Sequence, residues 1–563
     1  MASKNTVQRH KRRRKTSTTT PNGLSSLPAE IILIVLSNLS RSDFYNLCLV
    51  SKLFHTYTTP YLYRSVDIVL SGSSWDAKEH VYNSLSLENN RGLRFITNFR
   101  FLPPPVRHKR RVLGRLGPDA AKDVQRLMGV LLSKVGPNVL QRFEWYLPSL
   151  PLPEVRKLLH QEALTKVSWS ISGRLCHNLE VPQFLFSVDG RASPLASVTI
   201  ISIAASNIDH IRAWLSQCPA LKVLRLEWNP RIRYQFLERV PRGCFWTEIG
   251  LHNFPRLTTL KLKWTNVTYL HRLPVVDRLT SLVIDRCQGL GPFLNGWRRK
   301  STPSPIRLRK LWIHTNDLSF RHIHDFLHAF TGLHELALYS GYTPHRLTYV
   351  STGIRAHRGT LSLLALDTLS DRFGSRFAAS HVPMVLEETA LLATDLQHYP
   401  HLRALALPAD LGALPDLTIA ALAGRVQCFQ IHLRAARALQ PLAQAIANAV
   451  ARGFAGGEID GDIATDLDDK PAFAQSAVRS LPDLARIENE RNRLQARQST
   501  EPKTLGMVPR LRYLSLFTGA LKEWVVVFEV ERWAPFPPVV RKVRRREVGK
   551  LEMVFKVLRE NLV

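Results

Sequence analysis

Residues 221–228 read Leu-Lys-Val-Leu-Arg-Leu-Glu-Trp. Leu224, Leu226 and Trp228 alternate with Arg225 and Glu227, the period-two pattern of a strand with one buried face. Leu221 stands three residues ahead of that alternation. The same L-x-x-L-x-L spacing returns at Leu257, Leu333, Leu361, Leu402 and Leu511. A further match at Leu147 carries Pro148 and Pro151, which do not suit a paired strand. Looser copies are Leu140-Phe143-Trp145, Leu164-Val167-Trp169, Leu195-Val198-Ile200, Leu279-Leu282-Ile284, Leu308-Leu311-Ile313 and Val426-Phe429-Ile431. From Leu195 the units start at 195, 221, 257, 279, 308, 333 and 361, so the steps run from 22 to 36 residues. One strand per short unit predicts stacked repeats, because no single unit can bury its own apolar face.

Several connections have helical spacing. Ile208, Ile211 and Leu215 make one apolar stripe, and Phe320, Ile323, Phe326, Leu327 and Phe330 make another. Asn229, Cys287 and Asn316 fall at the position that follows the strand. Together these units resemble leucine-rich repeats, whose period is about 20–29 residues. The resemblance implies an irregular solenoid with strands lining an inner face and helices outside. Cys287 is then expected to be structural.

The chain before the repeats has a different pattern. Pro28 suits the first turn of a helix, Glu30 favours the helix dipole, and Ile31, Ile32, Val35, Leu36 and Leu39 have helical spacing. Ser40 and Ser42 suit the cap of a second helix through Phe44, Leu47 and Val50. A third helix holds Leu53, Phe54 and Tyr57 and is expected to end before Pro60. Three helices in about forty residues make a bundle too small to stand without help from the rest of the chain or a partner.

These residues resemble an F-box. The match runs from Leu27-Pro28-Ala29-Glu30-Ile31 through Leu36, Leu39 and Asp43-Phe44 to Leu47-Cys48-Leu49-Val50-Ser51-Lys52-Leu53-Phe54. Phe54 stands where such domains often carry Trp, and Phe44 where Leu is common; both remain large and apolar. Pro60-Tyr61-Leu62-Tyr63-Arg64-Ser65-Val66 is similar to an extension found in fungal F-box proteins. The resemblance implies a substrate-recognition subunit of an SCF-type ubiquitin ligase. Such a subunit binds a Skp-type adaptor, and through it a cullin–RING ligase. Leu27, Pro28, Ile31, Leu36, Leu39, Leu47, Val50 and Phe54 carry over as the positions that pack the bundle or meet the adaptor.

The target is then expected on the repeats' inner face, where side chains alternating with the buried leucines point to solvent. These are Arg225 with Glu227, Lys261 with Lys263, Lys310 with Trp312 and His314, and Tyr339. Cations mixed with aromatics suit an acidic or phosphorylated segment.

The expected organisation of this α/β chain is a basic tail over 1–23, the F-box over 24–68, repeats over 69–408, an Ala-rich and acidic insertion over 409–500, and a last repeat with a basic segment over 501–563. The acidic stretch Glu458–Asp469 reads as loop, and 484–498 as helix.

Composition narrows the function. Lys and Arg number 77 against 45 Asp and Glu, a net charge of +32. That excess points to an acidic partner or nucleic acid. It is spread along the body, a weaker pointer to nucleic acid than one basic face. The alternatives to a ligase subunit are therefore a nucleic-acid-binding repeat protein and a scaffold outside any ligase. The basic run Lys11–Lys15 resembles a nuclear-localisation signal, so nucleus, cytoplasm or both are expected. No apolar run approaches the about 20 residues of a membrane helix, and no signal peptide is expected. Six scattered cysteines without a C-x-x-C pair form neither a zinc site nor a disulfide framework. His324 and His328, four apart, lack a visible carboxylate or thiolate to complete a metal site. No phosphate-binding loop, nucleophile elbow or H-E-x-x-H motif is present, so neither an active site nor a cofactor is expected.

Overall fold

The computed structural model describes residues 27–69, 87, 90–102, 129–146, 161–170, 194–203, 208–228, 254–300, 305–315, 320–340, 347–367, 398–409, 428–433, 513–518, 526–531 and 539–542. The basic tail, the acidic stretch, the helix expected over 484–498, Leu147, Asn229 and Asn316 lie outside these residues. The chain divides into two compact units, residues 1–166 and 167–563, so the division falls inside the stretch read as one run of repeats. No helix among the described residues is long and apolar enough to cross a membrane.

The first unit opens with three helices: α1 (Ala29–Ser37), α2 (Arg41–Val50) and α3 (Lys52–Tyr63). Pro28 caps α1, its carbonyl accepting from the backbone N–H of Ile31 and Ile32. Ser40 and Asp43 close a capping box on α2, each side chain accepting from the other residue's backbone N–H. The Ser40 hydroxyl and backbone N–H both donate to the Asp43 carboxylate and hold it below its ordinary pKa. Ile32, Leu36 and Phe44 form the core, with Leu39, Leu47, Tyr57, Tyr61 and Leu62 packed on it.

The third helix runs past Pro60 to Tyr63, beyond the end expected from sequence. Proline removes one backbone donor and crowds the preceding turn. Packing overrides that cost here, since Tyr61 stacks on Phe44 at 5.3 Å. Thr58, fully buried, donates to the Phe54 carbonyl and lies 2.8 Å from Cys48 Sγ, tying α3 to α2.

The extension then delivers the chain into β1 (Ser65–Val69). The Arg64 carbonyl accepts from Thr97 and Asn98 at the start of β2 (Asn98–Leu102). Strands β1, β2 and β3 (Arg142–Trp145) are parallel in that order. Phe99, Phe101, Phe143 and Trp145 fill their buried face.

Strand β4 (Lys166–Ser170) spans the division, and the second unit continues as a ladder. Its strands are β5 (Ser197–Ile203), β6 (Val223–Trp228), β7 (Thr259–Lys263), β8 (Ser281–Asp285), β9 (Lys310–Thr315), β10 (Glu335–Ser340), β11 (Leu363–Asp367), β12 (Ala404–Ala409), β13 (Cys428–Leu433) and β14 (Tyr513–Thr518). Each pairs parallel with the next. The unit starts Leu221, Leu257, Leu279, Leu308, Leu333, Leu361 and Leu402 are all buried, as the spacing requires. Strand β13 is the loose copy around Phe429, set within the stretch read as an insertion. Strands β15 (Val526–Glu531) and β16 (Val539–Lys542) pair antiparallel after β14, a reversal with no sign in the leucine spacing.

Four described helices lie in the connections: α4 (Ile208–Leu215), α5 (Leu290–Lys300), α6 (Phe320–His328) and α7 (Leu347–Arg355). Trp297 of α5 meets Phe326 of α6 at 5.1 Å, and Phe330 beyond α6 meets His357 beyond α7 at 4.8 Å. The fold class is thus α/β, three helices followed by a parallel ladder.

Candidate functional site

Two surfaces stand out, one in each unit. The first is apolar. Helix α1 reads Ala-Glu-Ile-Ile-Leu-Ile-Val-Leu-Ser and is hydrophobic almost all round. Such a helix is normally buried on every side. Here Ile32 and Leu36 enter the core, while Leu27, Ile31, Leu33, Ile34 and Val35 stand exposed, with Leu27, Ile31, Ile34 and Val35 at helical spacing along one stripe. Ile34 is 60% exposed. At the α2–α3 corner Leu49, Val50 and Leu53 are exposed as well, Leu49 at 71% and Val50 at 69%.

Of the eight positions carried over by resemblance, Leu27, Pro28, Ile31 and Val50 are therefore exposed. Leu36 is core, Leu39 and Leu47 are half-buried against it, and Phe54 is half-buried. Ile34, Val35, Leu49 and Leu53 were not among the eight. In an all-apolar helix, periodicity carries no signal about which side stays open.

The second surface is a cleft on the ladder, lined by Arg225, Lys261, Lys263, Val283, Asp285, Trp312, His314 and Tyr339 among others. The register explains the gathering. Arg225, Lys261, Val283, Trp312 and Ala337 are successive partners across β6 to β10. Two residues on, so are Glu227, Lys263, Asp285, His314 and Tyr339. The cleft thus brings together Arg225, Lys261, Lys263, Trp312 and Tyr339, five of the six expected target contacts. Lys310 lies beside it, its Nζ 3.9 Å above the Trp312 ring and 2.8 Å from Glu335 Oε2.

The expectation that these side chains all stand in solvent needs correction. Trp312, His314 and Tyr339 are buried, Trp312 at 4% exposure. Val283 and Ala337 flank Trp312 in register, and such small neighbours leave room for a large ring to lie down on the sheet. The Trp312 indole nitrogen is buried and has no hydrogen-bond acceptor among the described residues.

Charges alternate along the second row. Glu227 lies 3.3 Å from Arg225 Nη2 and 3.4 Å from Lys263 Nζ. Lys263 also reaches Asp285 at 3.5 Å, and Asp285 faces His314 Nδ1 at 2.8 Å. Burial works against ionisation of Asp285. The close approach of His314, with the charges of His314, Lys263 and Arg286, outweighs it and holds the carboxyl below its ordinary range. Asp285 was missed because its unit is a loose copy; aligning the residue after each L-x-L would have found it.

The backbone turns sharply where these strands end. Trp264 and Arg286 follow β7 and β8 at matching positions, with φ of 55° and 54°. Left-handed geometry is uncommon for such residues and costs roughly 1–2 kcal/mol each. The Trp264 N–H donates to the Asp285 carbonyl and the Arg286 N–H to that of His314, which pins the row's ends together.

Elsewhere, His324 lies 2.8 Å from Thr352 Oγ1 and 3.1 Å from Asp325, with the His328 ring 4.6 Å away. No group of three His, Cys, Asp or Glu suited to a metal occurs among the described residues. The Cys287 thiol donates to the Asp285 carbonyl at 3.6 Å.

Comparison with known families matches residues 24–69 to the F-box-like family. Among solved structures, the leucine-rich repeat-containing protein LegL7 from Legionella pneumophila is similar at 12% identity. That likeness covers 65% of this chain and 91% of LegL7, with a TM-score of 0.30. Comparison with curated proteins gives no match. The chain carries an F-box-like domain at its start, followed by a ladder of parallel strands.

Proposed function

We propose that this protein is a target-selecting subunit of an SCF-type ubiquitin ligase, of the type found in fungi. The observation that carries this reading is the bare apolar stripe Leu27, Ile31, Ile34 and Val35 within a matched F-box-like domain. Water-exposed aliphatic side chains at such density mark a protein interaction site. Covering each one stabilises a complex by about 1.5–3 kcal/mol before the costs of association. A Skp-type adaptor covers the stripe together with Leu49, Val50 and Leu53, and a cullin–RING ligase follows through it.

The protein itself makes and breaks no bonds. It raises the concentration of target lysines near the loaded conjugating enzyme. It works in the nucleus, the cytoplasm or both. The cleft on the second unit selects the target. Cationic Arg225, Lys261 and Lys263 outnumber Asp285 along its wall, and the buried Trp312 N–H calls for an acceptor. An acidic or phosphorylated segment supplies both the charge and the acceptor.

Affinity purification of the full chain tests this reading. Wild type is expected to recover adaptor and cullin. Leu27→Ala/Pro28→Ala and Ile34→Asp are expected to lose both while keeping other partners. Undiminished adaptor recovery by Ile34→Asp overturns the assignment.

A further inference from the structure

The ladder gathers charge that looks scattered along the chain. Just before each strand, one row of backbone hydrogen bonds joins successive repeats: Lys222 to Ala196, Thr258 to Lys222, Thr280 to Thr258, Arg309 to Thr280, His334 to Arg309, Ser362 to His334 and Arg403 to Ser362. Lys222, Arg309 and Arg403 belong to this row. Arg256, Arg278 and Arg307 stand two residues ahead of it, at equivalent positions on three consecutive repeats. Residues 22 and 29 apart in sequence thus become neighbours at about 4.8 Å per strand.

All six cations are exposed, and none is in an ion pair among the described residues. The nearby carboxylates are already engaged: Glu335 holds Lys310, and Asp277 holds Lys300 at 2.8 Å. Like charges on neighbouring strands repel. A ligand that brings its own row of negative charge relieves that repulsion.

We infer that this edge of the second unit binds the phosphate backbone of double-stranded nucleic acid, apart from the cleft and from the apolar stripe. Five of the six cations are arginines, whose planar fork matches phosphate. From β6 to β12 the edge spans six strand spacings, about 29 Å, close to the about 34 Å of one duplex turn. One observation separates the duplex from other polyanions. A protein partner needs apolar anchors at the centre of its interface, and a single strand needs aromatic platforms for its bases. Along this edge the described residues expose no large aliphatic side chain and no Phe, Tyr or Trp, whereas the cleft assigned to a protein target is lined by Trp312 and Tyr339. Charge alone suffices for a backbone ligand read without regard to sequence.

A salt titration of the full chain on a labelled 20-base-pair duplex, followed by anisotropy, tests the edge. The variants are Arg256→Ala/Arg278→Ala/Arg307→Ala and the corresponding triple Lys variant. Wild type is expected to bind duplexes of unrelated sequence alike. The Ala variant is expected to flatten the slope of log K against log salt by about 2.7, at roughly 0.9 for each phosphate no longer neutralised. The Lys variant, which keeps the charge, is expected to keep most of the slope. A slope unchanged in the Ala variant overturns the proposal, because binding then arises elsewhere on the chain. So does a single strand that binds more tightly than the duplex. Polyglutamate displacing the duplex at equal charge overturns it in favour of an acidic protein.

Discussion

His314 on β9 reaches back one strand to Asp285 on β8, with Nδ1 2.8 Å from Oδ1. The contact closes a chain of ion pairs that runs from Arg225 through Glu227 and Lys263 to Asp285. Asp285 titrates below its ordinary value in the folded protein. Its contribution is therefore complete above about pH 4, the unfolded value, and is lost as pH falls through the lower folded value. Asp285→Asn is expected to cost about 1–3 kcal/mol near neutral pH, because it removes the negative charge that Lys263 and His314 face at 3.5 and 2.8 Å. The gap from wild type should close in acid. Urea unfolding near pH 7 and near pH 3 measures it, and a gap that stays constant contradicts the assigned ionisation.

Leu36 and Ile34 sit two residues apart on α1 and should respond in opposite ways. Leu36 is 1% exposed and fills the bundle core. Leu36→Ala is expected to lose about 2–5 kcal/mol of stability. Ile34→Ala removes a side chain that rests on water, so its stability should stay within about 0.5 kcal/mol of wild type. Adaptor affinity measured under folding conditions should reverse the order, with Ile34→Ala the weaker binder. Equal losses of stability would show that Ile34 is already covered by its own chain.

How far the sequence discloses these surfaces depends on which period carries the information. Along the ladder, Leu224, Leu260, Leu282 and Leu311 are aligned partners, because a strand must put alternate residues on one buried face. A strand's period therefore settles its register, and the register settles which cations meet. Helix α1 offers no such contrast, since apolar residues occupy nearly its whole circumference. Which stripe faces inward is decided by Phe44 and Tyr61, from other helices. Pro60 misled for the same reason, because contacts distant in sequence outweigh a local preference. The burial of Trp312 depends on the size of Val283 and Ala337, each a whole repeat away. The arginine edge stayed hidden because Arg256, Arg278 and Arg307 are 22 and 29 residues apart until the strands stack.

Gly289, just ahead of α5, has φ of 72°, and a Cβ there would run into Thr268 Oγ1 and lie 2.9 Å from Asn266 Oδ1. Those two side chains are already committed: Asn266 Oδ1 accepts from the backbone N–H and the hydroxyl of Thr268. Gly332 has φ of 93° with open space around it. Backbone strain alone is worth roughly 1–2 kcal/mol, so Gly332→Ala should cost about that. Gly289→Ala adds a collision and should cost clearly more. Chemical denaturation of the two variants compares them; equal losses would mean that Thr268 swings away freely.

Among the described residues of the second unit, His357 carries the largest pKa displacement. The imidazole is 1% exposed, packs on Phe330 and accepts from the Leu333 N–H at Nδ1, 3.4 Å away. Burial lowers its pKa to about 4, offset only in part by the nearby Leu327 backbone. Neutral imidazole belongs to the folded state, whereas the unfolded chain takes up a proton near pH 6.5. Between about pH 6.5 and 4 the unfolded state binds more protons, so stability is full above that window and declines on acidification through it. At about 1.36 kcal/mol per pH unit the decline amounts to roughly 3 kcal/mol. His357→Gln retains a hydrogen-bonding side chain and removes the titration. It is expected to start somewhat less stable near neutral pH and to lose less on acidification. Urea midpoints that fall in parallel for wild type and His357→Gln would assign the acid sensitivity to another group.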